Sequence, residues 1–236
     1  MSGRYLRALI NQQEIGSLQE VDGLWSFQYS EAWVGDALGF ALSPQLPLVA
    51  QPLLVGASQR PVQWYFDNLL PEEVQRVLLA RDARLDSADA FGLLTWYGAE
   101  SAGSLTLLAP DAEPQAVEPL RPLPDDALET RIRQLPKAPL TQAANKRMSL
   151  AGAQHKLAVV LQQGSLYEPA GATPSTHILK PDHPDADYSH SVINEWFVMR
   201  LAKRLGLDVP EVHRRYVPSP VYVIDRFDRV QDAQGW

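Results

Sequence analysis

The order of elements across residues 149–228 constrains the fold more than any other feature of the chain. A loop built around Gly152 leads into a strand and a tight hairpin, then a strand ending at Lys180, one long helix and a final pair of strands. Short strands joined by turns pair antiparallel, and an amphipathic helix has to bury its apolar stripe against such a sheet. Residues 142–236 therefore predict an α+β lobe, with an antiparallel sheet and one long helix.

That helix is the most sharply bounded element in the sequence. It is predicted over residues 191–205, where Gly206 occupies the position after its last turn and Pro210 prevents continuation. Its buried stripe is predicted to hold Val192, Trp196, Met199 and Leu205.

Residues 1–110 form a separate compositional unit, predicted as a small sheet with helices. Pro61 stands where a helix can begin, and Ser87 is predicted to cap a later helix. The predicted strands cover residues 4–10, 14–21, 24–30 and 104–108, and the predicted helices cover 61–70, 72–83 and 87–97.

A proline-rich segment, residues 111–141, separates the two units. Residues 110–139 contain seven prolines with acidic residues between them, which is typical of a linker. A short helix over residues 125–135 fits inside it.

Composition excludes several classes of protein. The net charge is −7, from 21 basic and 28 acidic residues, which argues against a free-standing nucleic-acid binder. There is no cysteine, so disulfides and cysteine-based zinc sites are absent. No apolar run reaches the roughly 20 residues of a membrane helix. The sequence favours a soluble cytoplasmic protein that contacts neither membrane nor nucleic acid directly.

The predicted lobe offers groups that suit a nucleoside triphosphate. Phosphates need close backbone N–H groups and a fixed cation. The small residues around Gly152, together with Gln154, permit close approach, and Lys180 supplies the cation, which Glu195 would hold in place. The loop residues in this prediction are Ala151, Gly152, Ala153 and Gln154.

Each of these features also has an ordinary structural interpretation. An Ala-Gly-Ala segment is commonly a turn, Lys180 fits an edge strand with its ammonium in water, and Glu195 fits a solvated helix position. Asp225 and Asp228, with the arginines beside them, fit a surface charge cluster. Only the order of these residues along the chain, taken together, favours a nucleotide site over the separate structural interpretations.

A metal site is not expected from the histidines or from the acidic loop. The five histidines form no H-x-x-x-H or H-E-x-x-H pair. Asp182, Asp185 and Asp187 lie in a proline-broken loop that lacks the glycine and terminal glutamate of a calcium loop.

The ordered segments resemble the HipA-type serine/threonine kinase toxins of bacterial type II toxin–antitoxin modules. The resemblance rests on residues 149–156, 177–180, 191–195, 201–207 and 225–229, and on residues 66–71 as the signature of the family's amino-terminal subdomain. It implies a HipA amino-terminal subdomain over residues 1–110, the linker over 111–141, and a kinase-like amino-terminal lobe over 142–236.

The resemblance also implies roles for individual residues. Lys180 would contact the ATP phosphates, Glu195 would orient it, and the backbone of Asp225 and Phe227 would hold adenine, with Phe227 as an apolar wall. Ser149 would be autophosphorylated, and the added negative charge would inactivate the protein. The loop carries His155 where relatives are often acidic.

The family's catalytic base and magnesium ligands are expected in a carboxy-terminal lobe beyond residue 236, so this chain alone is not expected to transfer phosphate efficiently. Two hypotheses follow. In one, the chain is the ATP-binding part of a kinase that phosphorylates a translation component such as glutamyl-tRNA synthetase and is restrained by a DNA-binding HipB-type antitoxin. In the other, it is a non-catalytic module that binds an antitoxin or nucleotide. The reading frame downstream of Trp236 distinguishes them.

Overall fold

The computed structural model describes residues 3–54, 58–99, 104–140 and 150–230. These residues form two antiparallel sheets with helices, which confirms the predicted α+β class. No helix among them is long and apolar enough to cross a membrane.

The chain divides into two compact units. The first contains Met1–Glu72, Ala83–Pro114 and Arg147–Gly152, and the second contains Glu73–Asp82, Gln115–Lys146 and Ala153–Trp236. The second unit thus includes residues 73–82, which were predicted to belong to the amino-terminal domain, and most of the predicted linker.

The first unit is built on a five-stranded sheet. The strand order is β4-β3-β2-β1-β5, and each neighbouring pair is antiparallel. The predicted strands are confirmed, whereas the two-residue β4 was missed because so short a strand carries no periodicity. The strands are β1 (Arg4–Ile10), β2 (Gln13–Val21), β3 (Leu24–Tyr29), β4 (Leu53–Leu54) and β5 (Thr106–Leu108).

Four α-helices lie within residues 3–54 and 58–99. Pro61 opens the second of them, as predicted. The cap of the fourth is Asp89, whose carboxylate accepts a hydrogen bond from the N–H of Gly92 at 3.0 Å; the prediction of Ser87 was wrong because Asp89 directly precedes the first helical residue. The helices are α1 (Glu31–Val34), α2 (Pro61–Asp67), α3 (Glu73–Ala83) and α4 (Ala90–Tyr97).

The second unit contains a six-stranded antiparallel sheet of order β10-β11-β9-β7-β8-β6. Gln163 and Gly164 form the turn between the second and third of its strands in sequence, both with positive φ, as a tight two-residue hairpin requires. The strands are β6 (Arg121–Pro122), β7 (Leu157–Gln162), β8 (Ser165–Glu168), β9 (His177–Pro181), β10 (Val212–Tyr216) and β11 (Pro220–Asp225).

Two helices are tied to opposite faces of this sheet. The helix α5 (Asp125–Arg133) lies in the predicted linker, and its Arg131 forms an ion pair of 2.6 Å with Glu168 of β8. The long helix α6 (Ser191–Arg204) packs its Val192 with Val212 and Tyr222 on the other face.

The predicted stripe of α6 is confirmed for Val192, Trp196 and Met199. It is wrong for Leu205, which is 72% exposed. Leu205 follows the last residue of α6, Arg204, so helical spacing no longer directs its side chain toward the sheet.

Candidate functional site

Lys180 and Glu195 form the centre of the candidate site. The Lys180 Nζ lies 2.7 Å from the Glu195 Oε2. Lys180 is opposite Tyr222 in the β9–β11 ladder, so its side chain leaves the sheet on the face that α6 covers. Glu195 is one helical turn from Val192 and Met199, which places it toward the sheet and not on the solvated side of α6.

The start of α6 is fixed by a side chain from the end of β9. Asp182 Oδ1 accepts a hydrogen bond from the N–H of Val192 at 2.8 Å and one from the Ser191 hydroxyl at 3.3 Å. The residue at the cap position, His190, makes no side-chain cap bond. Asp182 lies two residues after Lys180 and accepts hydrogen bonds from donors at the start of α6. This contact holds the end of β9 beside the helix, so that Lys180 and Glu195 can form their ion pair.

The surroundings of the pair are half-open. The side chains of Lys180 and Glu195 are 23% and 28% exposed, which leaves the ammonium accessible to a ligand. The Lys180 Nζ also lies 5.8 Å from the centre of the Tyr222 ring. Burial, and then the negative charge of Glu195, raises the pKa of the Tyr222 hydroxyl, so that it stays neutral beside the pair.

The glycine loop is described from Leu150 onward, and Ser149 lies outside the described residues. Gly152 has a φ of +94°, a backbone conformation that favours glycine. It forms an isolated parallel bridge with Pro71, the last residue of the segment 66–71 that carried the amino-terminal signature. Ala151 and Gln154 are partly buried and Ala153 is exposed. The two units divide between Gly152 and Ala153.

His155 is a buried member of the same loop. It is 3% exposed, and its Nε2 lies 2.8 Å from the Gln75 Nε2 atom of α3. Burial, followed by the nearby His183 and Lys156, lowers the pKa of His155 to about 4. The ring is therefore neutral at pH 7 and ties the loop to α3. Sequence spacing gave no signal for a contact between residues 80 positions apart.

The segment after β11 is held by a buried arginine. Arg226 donates from Nε and Nη2 to the two carboxylate oxygens of Asp228, at 3.0 and 2.5 Å, and from Nη1 to the Ser175 hydroxyl at 2.8 Å. Its side chain is 2% exposed. Burial alone would raise the pKa of Asp228, but the hydrogen bonds and charge of Arg226 hold it below its usual range. The interpretation of these residues as a surface charge cluster does not hold for Arg226.

The proposed adenine contacts lie in this segment. The Asp225 N–H donates to the Glu211 carbonyl at 3.0 Å, so the backbone group that Asp225 can offer a ligand is its carbonyl oxygen. The Phe227 side chain is 88% exposed, so it has room to cover a ligand. The intervening Arg226 N–H is bound to the Thr176 carbonyl at 2.9 Å, which fixes the backbone between them.

The loop carboxylates considered as a cation site make local contacts. Asp185 Oδ1 accepts from the Asp187 N–H at 3.0 Å, while Asp182 caps α6. These bonds account for the acidic residues of this loop by turn and cap geometry.

An antiparallel sheet carrying a lysine, and one long helix whose glutamate meets that lysine, is the arrangement of a kinase-like amino-terminal lobe. Comparisons with known proteins give the family. Residues 6–108 match the HipA N-terminal domain, and residues 148–234 match the HipA-like C-terminal domain. The chain belongs to the HipA family.

Named relatives support this family assignment. The chain is 42% identical over 224 residues to "Putative kinase Y4mE" of Sinorhizobium fredii, which covers 92% of this chain and 52% of that protein. It is 30% identical over 207 residues to the serine/threonine-protein kinase toxin HipA of Shewanella oneidensis, covering 87% of this chain and 45% of the toxin. The chain thus spans about half the length of the curated relatives that it matches.

A solved structure shares the fold. In the Shewanella oneidensis MR-1 complex of HipA, HipB and operator DNA, one chain matches with a TM-score of 0.75 and 27% identity, over 98% of this chain and 52% of that chain. This likeness confirms the predicted fold class. Of the two named relatives, one is a serine/threonine-protein kinase toxin and the other a putative kinase.

Proposed function

We propose that this chain forms the ATP-binding part of a HipA-like protein-serine kinase toxin. The observation that carries the proposal is the ion pair between Lys180 and Glu195, which holds an accessible ammonium at fixed depth on the sheet. A partly exposed ion pair contributes little to the free energy of folding. A role in holding the ammonium in place for a ligand therefore explains the pair better than a role in stability.

The candidate residues suit different parts of the nucleotide. Lys180 would bind phosphate oxygens, and Glu195 would keep its ammonium from swinging into water. The carbonyl of Asp225 would accept a hydrogen bond from the adenine amino group, and the N–H of Phe227 would donate one to a ring nitrogen. The loop residues Ala151, Gly152, Ala153 and Gln154 would approach the phosphates through their backbone. Magnesium would accompany the nucleotide and neutralise part of its charge.

The test is ATP binding by the 236-residue protein, measured by isothermal titration calorimetry in the presence of Mg²⁺. We expect Lys180→Met to weaken binding ten-fold or more, because charge-assisted hydrogen bonds contribute about 1.5–3 kcal/mol. Glu195→Gln should weaken it less, since the ammonium remains but is no longer held in place.

The chain offers a matched control for this experiment. Lys203 forms an ion pair with Glu211 near the other end of α6, and both side chains are about half exposed. Lys203→Met removes the same charge without touching the candidate site, so ATP affinity should not change. An affinity equal to wild type in Lys180→Met, or no ATP binding by the wild-type protein, would refute the proposal.

Ser149 is proposed as the site of autophosphorylation, which would shut off nucleotide binding. A phosphoserine carries a charge of about −1.5 to −2 and would repel ATP phosphates from the loop. We expect Ser149→Asp to bind ATP several-fold more weakly than wild type, and Ser149→Ala to bind it normally. The same titration measures both variants, and equal affinity in Ser149→Asp would rule out this mechanism.

The proposed partners follow from the relatives. A HipB-like antitoxin is proposed because the structural relative was solved with HipB and operator DNA. A translation component such as glutamyl-tRNA synthetase is proposed as the phosphorylated protein on the family resemblance. Because neither hypothesis expects efficient transfer by these 236 residues alone, incubation with ATP labelled on the γ-phosphate is done with a protein whose reading frame extends past Trp236, where transfer supports the kinase and nucleotide binding without transfer supports the module.

A further inference from the structure

A cluster of two histidines and one aspartate lies on the second unit, away from the Lys180–Glu195 pair. The ring nitrogens of His177 and His213 and a carboxylate oxygen of Asp225 all lie within 4.8 Å of one another. The Asp225 Oδ1 is 3.0 Å from the His177 Nε2 and 3.8 Å from the His213 Nε2. The three residues come from β9, β10 and β11, adjacent strands of one sheet.

Strand pairing explains why these side chains converge. Asp225 is directly opposite His177, and His213 is opposite Val223, two residues away on β11. The Arg226 N–H bonds to the Thr176 carbonyl, so Asp225 and His177 form the non-hydrogen-bonded kind of pair, in which side chains approach most closely. All three side chains leave the sheet on the face opposite to Tyr222 and α6.

The donor atoms are arranged for a further ligand. The His177 Nδ1 lies 2.6 Å from the Thr176 hydroxyl oxygen. The Nδ1 also accepts a hydrogen bond from the Leu161 N–H at 3.4 Å, so the neutral ring carries its proton on Nε2, on the side of the cluster. A bound ion would replace that proton on Nε2, while Nδ1 stays held by the Leu161 N–H and the Thr176 hydroxyl. Among the described residues, the buried Asp225 Oδ1 has no well-directed hydrogen bond, although the His177 Nε2 is within 3.0 Å.

The geometry points to a binding site for a first-row divalent transition-metal ion of the zinc class, held by His177 Nε2, His213 Nε2 and the Asp225 carboxylate. Metal–nitrogen and metal–oxygen bonds of about 2.0–2.2 Å place tetrahedral ligand atoms roughly 3.3–3.5 Å apart. The two measured separations of 3.0 and 3.8 Å lie on either side of this value. The side chain of His213 is 45% exposed, so it is free to make the final adjustment, and the remaining coordination position is left for water.

Donor chemistry selects the class of ion. Two imidazoles and one carboxylate suit zinc and its neighbours, whereas magnesium and calcium prefer sets of oxygen ligands. The site departs from the sequence-based expectation that the histidines bind no metal. That expectation rested on spacing along the chain, and these ligands are 36 and 12 residues apart, brought together by strand pairing alone.

The test is zinc binding by the 236-residue protein without nucleotide, so its result does not depend on the proposed function. Competition with a chromophoric chelator should give one tightly bound Zn²⁺ per chain, and Co²⁺ should give visible absorption bands of a four-coordinate site. We expect His213→Gln and Asp225→Asn each to reduce zinc affinity by at least about ten-fold.

The matched control is His190→Asn. His190 is an exposed histidine outside the cluster with a φ of +61°, which asparagine tolerates. The zinc affinity of the His190→Asn variant should equal that of wild type. Millimolar Mg²⁺ should not displace the bound Co²⁺. The inference is overturned by the absence of stoichiometric zinc binding, by wild-type affinity in both cluster variants, or by displacement of Co²⁺ with Mg²⁺.

Discussion

Replacing Arg226 with alanine is expected to lower the free energy of unfolding by about 3–5 kcal/mol, the usual cost of removing one partner of a buried ion pair. The guanidinium is 2% exposed and binds both oxygens of Asp228. Its loss removes the main partner of the Asp228 carboxylate and one hydrogen-bond donor of the fully buried Ser175 hydroxyl. Urea unfolding followed by circular dichroism measures the change.

Two further variants make the interpretation specific. Arg121→Ala removes an arginine from an exposed pair with Glu118 at 3.4 Å and should change the free energy of unfolding by less than about 1 kcal/mol. A double variant, Arg226→Met with Asp228→Leu, removes both charges and should recover much of the lost stability. Hydrogen exchange of the β9 and β11 amides of the second unit, compared with the β1 and β2 amides of the first, would show which unit is affected. A loss below 1 kcal/mol in Arg226→Ala would contradict the expected role.

Acidification is expected to destabilise the protein through His155. The pKa of His155 is about 4 in the folded protein and 6.5 in its ordinary state, so the unfolded chain takes up a proton first as the pH falls. The stabilising contribution is complete above pH 6.5 and is lost between pH 6.5 and 4. The slope is up to about 1.4 kcal/mol per pH unit, or roughly 3 kcal/mol in total.

A comparison of variants isolates this effect from the titration of the carboxylates. His155→Gln keeps a neutral polar group beside Gln75 and should lose less free energy of unfolding than wild type between pH 7 and 4.5. His190→Gln replaces an exposed histidine and should follow wild type. Identical pH dependence in wild type and His155→Gln would show that the buried ring does not control acid stability.

The buried ring also bears on the candidate nucleotide loop. His155 directly follows Gln154, and its contact with Gln75 fixes the point where the loop enters β7. Protonation would destabilise that contact before global unfolding. As the pH is lowered, nucleotide affinity should therefore begin to fall at a higher pH in wild type than in His155→Gln.

Local sequence patterns predicted most of the fold. Alternation in residues 4–10 and 24–29 and the apolar stripe of α6 specify these elements because burial on one face imposes a period of 2 or 3.6. The same patterns missed α1 and β4, since elements of four and two residues complete no period. The proline-rich segment was interpreted as a linker, and the short helix that the sequence allowed over residues 125–135 is present as α5.

The sequence also predicted only part of the candidate site. Motif order located Lys180 and Glu195 and predicted that they pair, and the two side chains do meet at 2.7 Å. Their role in nucleotide binding stays a prediction, as do the roles of the loop residues and of Asp225 and Phe227. The Asp182 cap was missed, because an aspartate nine residues before the first residue of a helix lies outside the spacing that local capping rules consider.

By itself, the sequence determined the class of fold, the order of the elements and the residues of the lysine–glutamate pair, because these depend on periodicity and on residue types close together in the chain. Only the tertiary structure decided that Arg226 is buried on Ser175, that His155 meets Gln75, and that His177, His213 and Asp225 converge. Such contacts join distant positions through strand register and helix packing. Burial, which sets the charge state and the energetic weight of each of these groups, exists only once the chain has folded.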